Sequence, residues 1–217
     1  ESHSSKRKSI YQHFFFIFTV LLSLAFSQNA VSNTSKEPIH VDLSKTLGFI
    51  MGQRFNLIRI KAEYPTLSLQ VKMTELEFNS SFGISEKNIE KELKGLFKDK
   101  YSEFISTMRK QLDDTLKSQQ ITKDIAVQFL EEVKLRAAGE IPSPMLETLL
   151  IYQFKEKPVN ELLRGFKTIY QTKGHPKSKG LDLQIEYPRS WSKREGKRPN
   201  VIKYFSSNNG RGPAGAM

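Results

Sequence analysis

Residues 101–139 read YSEFISTMRKQLDDTLKSQQITKDIAVQFLEEVKLRAAG, and their spacing decides the fold class. Phe104, Ile105, Met108, Leu112 and Leu116 recur at intervals of three and four, which puts them on one face of an α-helix. After a polar break Thr122 stands where an N-cap belongs. Ile125, Phe129 and Val133 form the next stripe, and Gly139 is placed to stop it. Helices this short are marginal alone in water, so their apolar faces must find other helices.

The same period extends to both sides. Upstream, a short helix over 56–64 is expected to end before Pro65, because the residue preceding proline is pushed out of the α region. The next begins near Thr66 with Leu67, Val71, Phe78 and Phe82 on one face and Gly83 as its left-handed C-cap. Ser85 then caps another, with Ile89, Leu93 and Leu96 or Phe97 inward. Downstream, Ser143-Pro144 opens a helix carrying Leu146, Leu149, Leu150 and Phe154, since proline at the first helical position loses no needed hydrogen bond. Pro158 opens the last, with Val159, Leu162, Leu163 and Phe166. The expectation is a mainly α protein, a multi-helix bundle or array over residues 55–166 with short connections between antiparallel neighbours.

Beyond the helices the period changes. TKGHPKSKG has the composition of a linker, placed at 167–180 with its flanks. Leu181, Leu183, Ile185 and Tyr187 then alternate with polar residues, as in a half-buried strand. Pro188 ends it, a charged loop (SKREGKRP) follows Trp191, and Val201–Phe205 reads as a second short strand. Residues 181–217 are thus a β-strand segment, and two strands do not make a stable sheet alone. The run I-E-Y-P-R-S-W (185–191), followed by V-I-K-Y-F-S-S, resembles the opening strands of PsbP/Mog1-like domains. That resemblance implies the start of an α/β sandwich and an accessory or binding role. The layout as a whole is similar to uncharacterised exported bacterial proteins, and no functional residues are carried over from it.

The opposite end carries targeting signals. Lys6, Arg7 and Lys8 precede the apolar run FFFIFTVLLSLAF (14–26), with small residues at Ala25 and Ser27, so 1–27 reads as a secretory signal peptide. Thirteen helical residues reach about 20 Å, short of the roughly 30 Å of a bilayer's hydrocarbon core, so no stable transmembrane span is expected after processing. Residues 28–54 show no clear caps and are expected to form an extended arm. The protein is expected to be exported, periplasmic or secreted.

The net charge of +11 invites a nucleic-acid reading, but its distribution does not support one. Residues 28–163 carry 19 basic and 19 acidic residues, whereas 164–217 carry 12 basic and three acidic. An exported protein rarely meets nucleic acid, so the expected partner is an anionic cell-envelope surface or a protein. The candidate binding residues are Arg189, Lys193, Arg194, Lys197 and Arg198 around Trp191, because cations interleaved with aromatic rings grip anionic polymers by charge and stacking.

Other chemistry has few carriers. The absence of cysteine removes disulfides, thiolate metal sites and thiol nucleophiles. His40 and His175 have no ligand-spaced partner, and the serines lack a nucleophile elbow. The adjacent pairs Asp113-Asp114 and Glu131-Glu132 split across helix surfaces. No catalytic residue, metal or cofactor is expected. The reading is a noncatalytic accessory or binding protein of the cell envelope. The alternatives are a periplasmic chaperone-like helical protein and an enzyme whose active site lies beyond Met217.

Overall fold

The computed structural model describes residues 39–140 and 145–207. The expected signal segment and the expected opening dipeptide Ser143-Pro144 lie outside the described residues. From Ile39 onward the chain forms one compact unit, mainly α-helical with a small β segment at its C-terminal side.

The first helix, α1 (Ile39–Glu63), corrects the expected extended arm wherever that arm is described. Sequence periodicity missed it because it is buried nearly all round. Leu43, Leu47, Ile50, Leu57 and Ile60 are buried, and so are Ser44, Thr46, Gly48, Gly52, Gln53 and Asn56. A helix covered on several sides needs no polar face, so the amphipathic signature disappears. It ends where expected, before Pro65, with the Tyr64 amide donating to the Ile60 carbonyl at 2.8 Å.

The second helix, α2 (Ser68–Phe97), runs without the break expected at Gly83 and Ser85. Ser85 does not cap a new helix. Its hydroxyl donates to the Leu149 carbonyl at 2.6 Å, and its amide lies 3.0 Å from the Gln153 Oε1. Both acceptors belong to α5 (Leu146–Gln153), so tertiary contacts carry the chain through the glycine. The cost of glycine in a helix interior is about 1 kcal/mol, less than the burial of Phe78, Phe82, Ile89 and Leu93 returns. A Cβ at Gly83 would meet nothing nearer than the Asn79 Cβ at 4.0 Å. Gly83→Ala is therefore expected to raise stability by about 0.5–1 kcal/mol, measured as a higher urea midpoint at unchanged slope.

Helix α3 (Tyr101–Lys117) matches its sequence reading, and Phe104 stacks on Phe97 with ring centroids 4.4 Å apart. Helix α4 (Lys123–Ala137) has the expected caps: the Thr122 hydroxyl accepts from the Ile125 amide at 3.3 Å, and Gly139 takes φ +72°. Helix α2 packs on α1, α4 and α5, and α1 also meets α3. One core cluster joins Leu43 and Leu47 of α1 to Ile89 and Leu93 of α2 and Tyr152 of α5. Arg59 donates to the Leu116 carbonyl at 2.5 Å and Tyr64 to that of Ile121 at 2.6 Å, which ties the end of α1 to the segment closing α3. A single turn, α6 (Asn160–Leu163), follows Pro158.

The expected linker at 167–180 opens instead with a strand. β1 (Lys167–Gln171) pairs antiparallel with β2 (Gln184–Pro188), in the register Lys167↔Pro188 to Gln171↔Gln184. The connection between them is hydrogen-bonded rather than loose. The buried Thr172 donates its amide to the Leu183 carbonyl at 2.9 Å and its hydroxyl to that of Leu181 at 2.9 Å. Composition suggested a linker because lysine and glycine are common in turns. A strand with one exposed face accommodates the same residues, as the Lys167–Glu186 ion pair at 2.7 Å shows. A second pair follows: β3 (Ser192–Glu195), which sequence placed in a charged loop, runs antiparallel to β4 (Lys203–Ser206). The tail is fastened to the helices. The Arg189 amide donates to the Phe166 carbonyl at 3.0 Å, and its Nη1 reaches the Gly139 carbonyl at 2.7 Å.

Candidate functional site: a basic β-hairpin

The candidate cations lie on and beside the β3–β4 hairpin, and the structure sorts them by role. Trp191 is not an exposed platform. It is 8% exposed and forms the small β core with Tyr187 and Phe205, whose rings lie 4.5 Å apart. Its indole Nε1 is buried with no hydrogen-bond partner among the described residues, which marks a ring held for its volume rather than its donor. Arg189 is exposed, but its guanidinium is engaged with the Gly139 carbonyl and fixes the tail to the end of α4.

Lys193 and Arg194 of β3, and Lys197 and Arg198 of the loop that follows, are exposed. The geometry beneath them comes from a residue of the stretch whose composition reads as a linker. The Lys177 ammonium donates to the Gly196 carbonyl, to that of Arg198 at 3.1 Å and to that of Val201 at 3.3 Å. One cation from the β1–β2 connection thereby gathers three carbonyls of the hairpin loop. A lysine's three rotatable donors suit that task. Gly196 is also required there. A Cβ at this position would stand 1.9 Å from the Val201 carbonyl oxygen, which no side chain allows. The hairpin's carboxylate, Glu195, is occupied by Lys203 and by the His175 Nε2 at 3.3 Å. His175 accepts the Lys177 amide at Nδ1, which leaves Nε2 as the protonated nitrogen facing Glu195.

Two buried acids lie elsewhere. Glu161 of α6 is 1% exposed and accepts the Ser190 amide at 2.7 Å and the Ser190 hydroxyl at 2.5 Å. Burial pushes its carboxyl above the usual range, the Ser190 donors pull it back, and the charge of Glu147 adds to the rise. Glu132 is likewise raised by burial and pairs with Arg136 at 2.9 Å, whereas its neighbour Glu131 meets Lys134 in solvent. The adjacent acids do split, but one half is buried rather than solvated. Both side chains are enclosed, and their two hydrogen bonds tie α6 to the turn after β2. Among the described residues no group of His, Asp or Glu could hold a metal ion, and no helix is long and apolar enough to cross a membrane.

No protein family, curated protein or solved structure matches the chain.

Proposed function

We propose that this protein is an exported, noncatalytic accessory module of the cell envelope that adheres to an anionic surface through its β3–β4 hairpin. The observation that carries this reading is the arrangement of the hairpin loop. Lys177 holds its carbonyls, Lys203 neutralises its carboxylate, and Lys193, Lys197 and Arg198 are left exposed without a carboxylate partner among the described residues. Positive charge displayed on a rigid loop attracts an anionic surface without a shaped pocket. The resemblance of residues 185–191 to PsbP/Mog1-like strands supports the same accessory role.

Each cation near an anionic membrane contributes about 1 kcal/mol at most, so three contribute about 3 kcal/mol, roughly two orders of magnitude in partitioning. Co-sedimentation with phosphatidylglycerol–phosphatidylcholine vesicles at low salt is expected to show that loss in the Lys193→Gln/Lys197→Gln/Arg198→Gln variant. The native protein is expected to detach as salt shortens the Debye length towards about 8 Å and below. Equal binding by variant and native protein would refute the hairpin as the contact.

A further inference from the structure

A cleft of about 450 Å³ opens between the middle of α2, the end of α4 and the segment after α5, on residues the basic hairpin does not include. Its size falls within the range of pockets that enclose small organic ligands. The floor is aromatic: Phe154 and Phe166 are buried, with ring centroids 6.2 Å apart. Ile84 of α2 adds an apolar wall that is 55% exposed, so the floor continues upward as uncovered hydrocarbon.

The rim differs in kind. Lys157 and Arg164 stand on either side of α6, both exposed and neither paired with a carboxylate among the described residues. One acid, Glu156, shares the lining, so the rim holds a single excess positive charge. Three amides, Asn88, Gln153 and Asn160, line the same space, and the first two are only partly committed. Asn88 donates its Nδ2 to the Tyr152 carbonyl at 2.7 Å, which leaves its Oδ1 uncommitted. Gln153 accepts Ser85 at its Oε1, which leaves the Nε2 donors uncommitted.

An apolar floor beneath unpaired cations and a free amide donor is complementary to an amphipathic anion. The excess of one positive charge favours a monoanion over a dianion, and the Nε2 of Gln153 supplies a directed donor that a simple ionic patch lacks. We infer that this cleft is a binding site for an organic monocarboxylate with an apolar body, its carboxylate held between Lys157 and Arg164 and its hydrocarbon laid on Phe154, Phe166 and Ile84.

The cleft shares no residue with the hairpin and needs no membrane to take its ligand. Titration calorimetry with octanoate, with octanol and inorganic phosphate as controls, tests it on the full chain. Octanoate is expected to bind. Octanol is expected to bind about tenfold or more weakly, because it lacks the charge-assisted contacts, and phosphate is expected not to register, because it lacks the apolar body. Lys157→Gln/Arg164→Gln changes only exposed side chains and is expected to weaken octanoate about tenfold or more. Ile84→Glu, also at an exposed position, is expected to abolish binding by placing a second carboxylate in the cleft. The triple glutamine variant of the hairpin is expected to bind octanoate as the native protein does. Absence of octanoate binding, equal affinity for octanol, or undiminished affinity in the Lys157/Arg164 variant would each overturn the assignment.

Discussion

Trp191→Ala is expected to cost about 3–5 kcal/mol, the usual range for removing a large aromatic ring from a packed core. The size follows from how little else holds the β segment together. Among the described residues its core comprises Tyr187, Trp191 and Phe205, with Tyr170 packed against them, and each sheet has two strands. A two-stranded pair is marginal in water without a hydrophobic face to rest on. The loss should therefore appear as rapid proteolysis at Lys173–Lys179 and at Lys193–Arg198 while the far-ultraviolet helical signal persists. Trp191→Phe should cost less than about 1.5 kcal/mol, since it keeps much of the ring's volume and also removes the unpaired indole donor. A Trp191→Ala protein with native stability but weakened vesicle binding would restore the ring to the surface as a contact.

Glu161 is expected to make stability fall as pH rises through the weakly acidic range. Its native carboxyl is held above the ordinary glutamate value of about 4.3, first by desolvation. The folded state therefore binds the proton more tightly than the unfolded chain. That contribution is complete below the unfolded value and is lost as pH climbs through the raised native value. Glu132, raised by the same cause, adds a slope of the same sign, so the difference between native protein and variant isolates Glu161. Glu161→Gln should flatten the pH dependence while keeping a partner for Ser190, whose hydroxyl can turn to accept from the new amide. Glu161→Ala should cost about 2–4 kcal/mol at the acid end, because it strands the buried Ser190 amide and hydroxyl, and less as pH rises, because it also removes the acid whose ionisation burial opposes. Urea midpoints measured from pH 4 to 8 check both. A Glu161→Gln curve parallel to that of the native protein would show that the carboxyl does not titrate in this window.

The hairpin's charge was legible and its architecture was not. Lys193, Arg194, Lys197 and Arg198 declare themselves in one short run, and their exposure follows from the cost of burying a charge. Nothing in that run announces Lys177, 19 residues before Gly196, as the donor that gathers the loop's carbonyls. The lysine is ordinary in composition, and only the antiparallel return of β2 on β1 brings its connection alongside the hairpin. Nor does Gly196 advertise its role, because its constraint is the approach of the Val201 carbonyl rather than a left-handed backbone.

By itself the sequence determined the mainly α class, the two amphipathic helices α3 and α4, the caps at Thr122 and Gly139, and the concentration of positive charge after residue 163. These are local properties. A stripe at three and four, a side-chain oxygen one turn before an amide and a count of charges need no knowledge of distant residues. Tertiary structure decided the rest. It made α1 a helix covered on several sides, carried α2 through Gly83 by bonding Ser85 to α5, turned an apparent linker into β1, and set Trp191 inside the β core. In each case the deciding energy comes from residues far along the chain, whose burial and hydrogen bonds outweigh a local preference of about 1 kcal/mol or less.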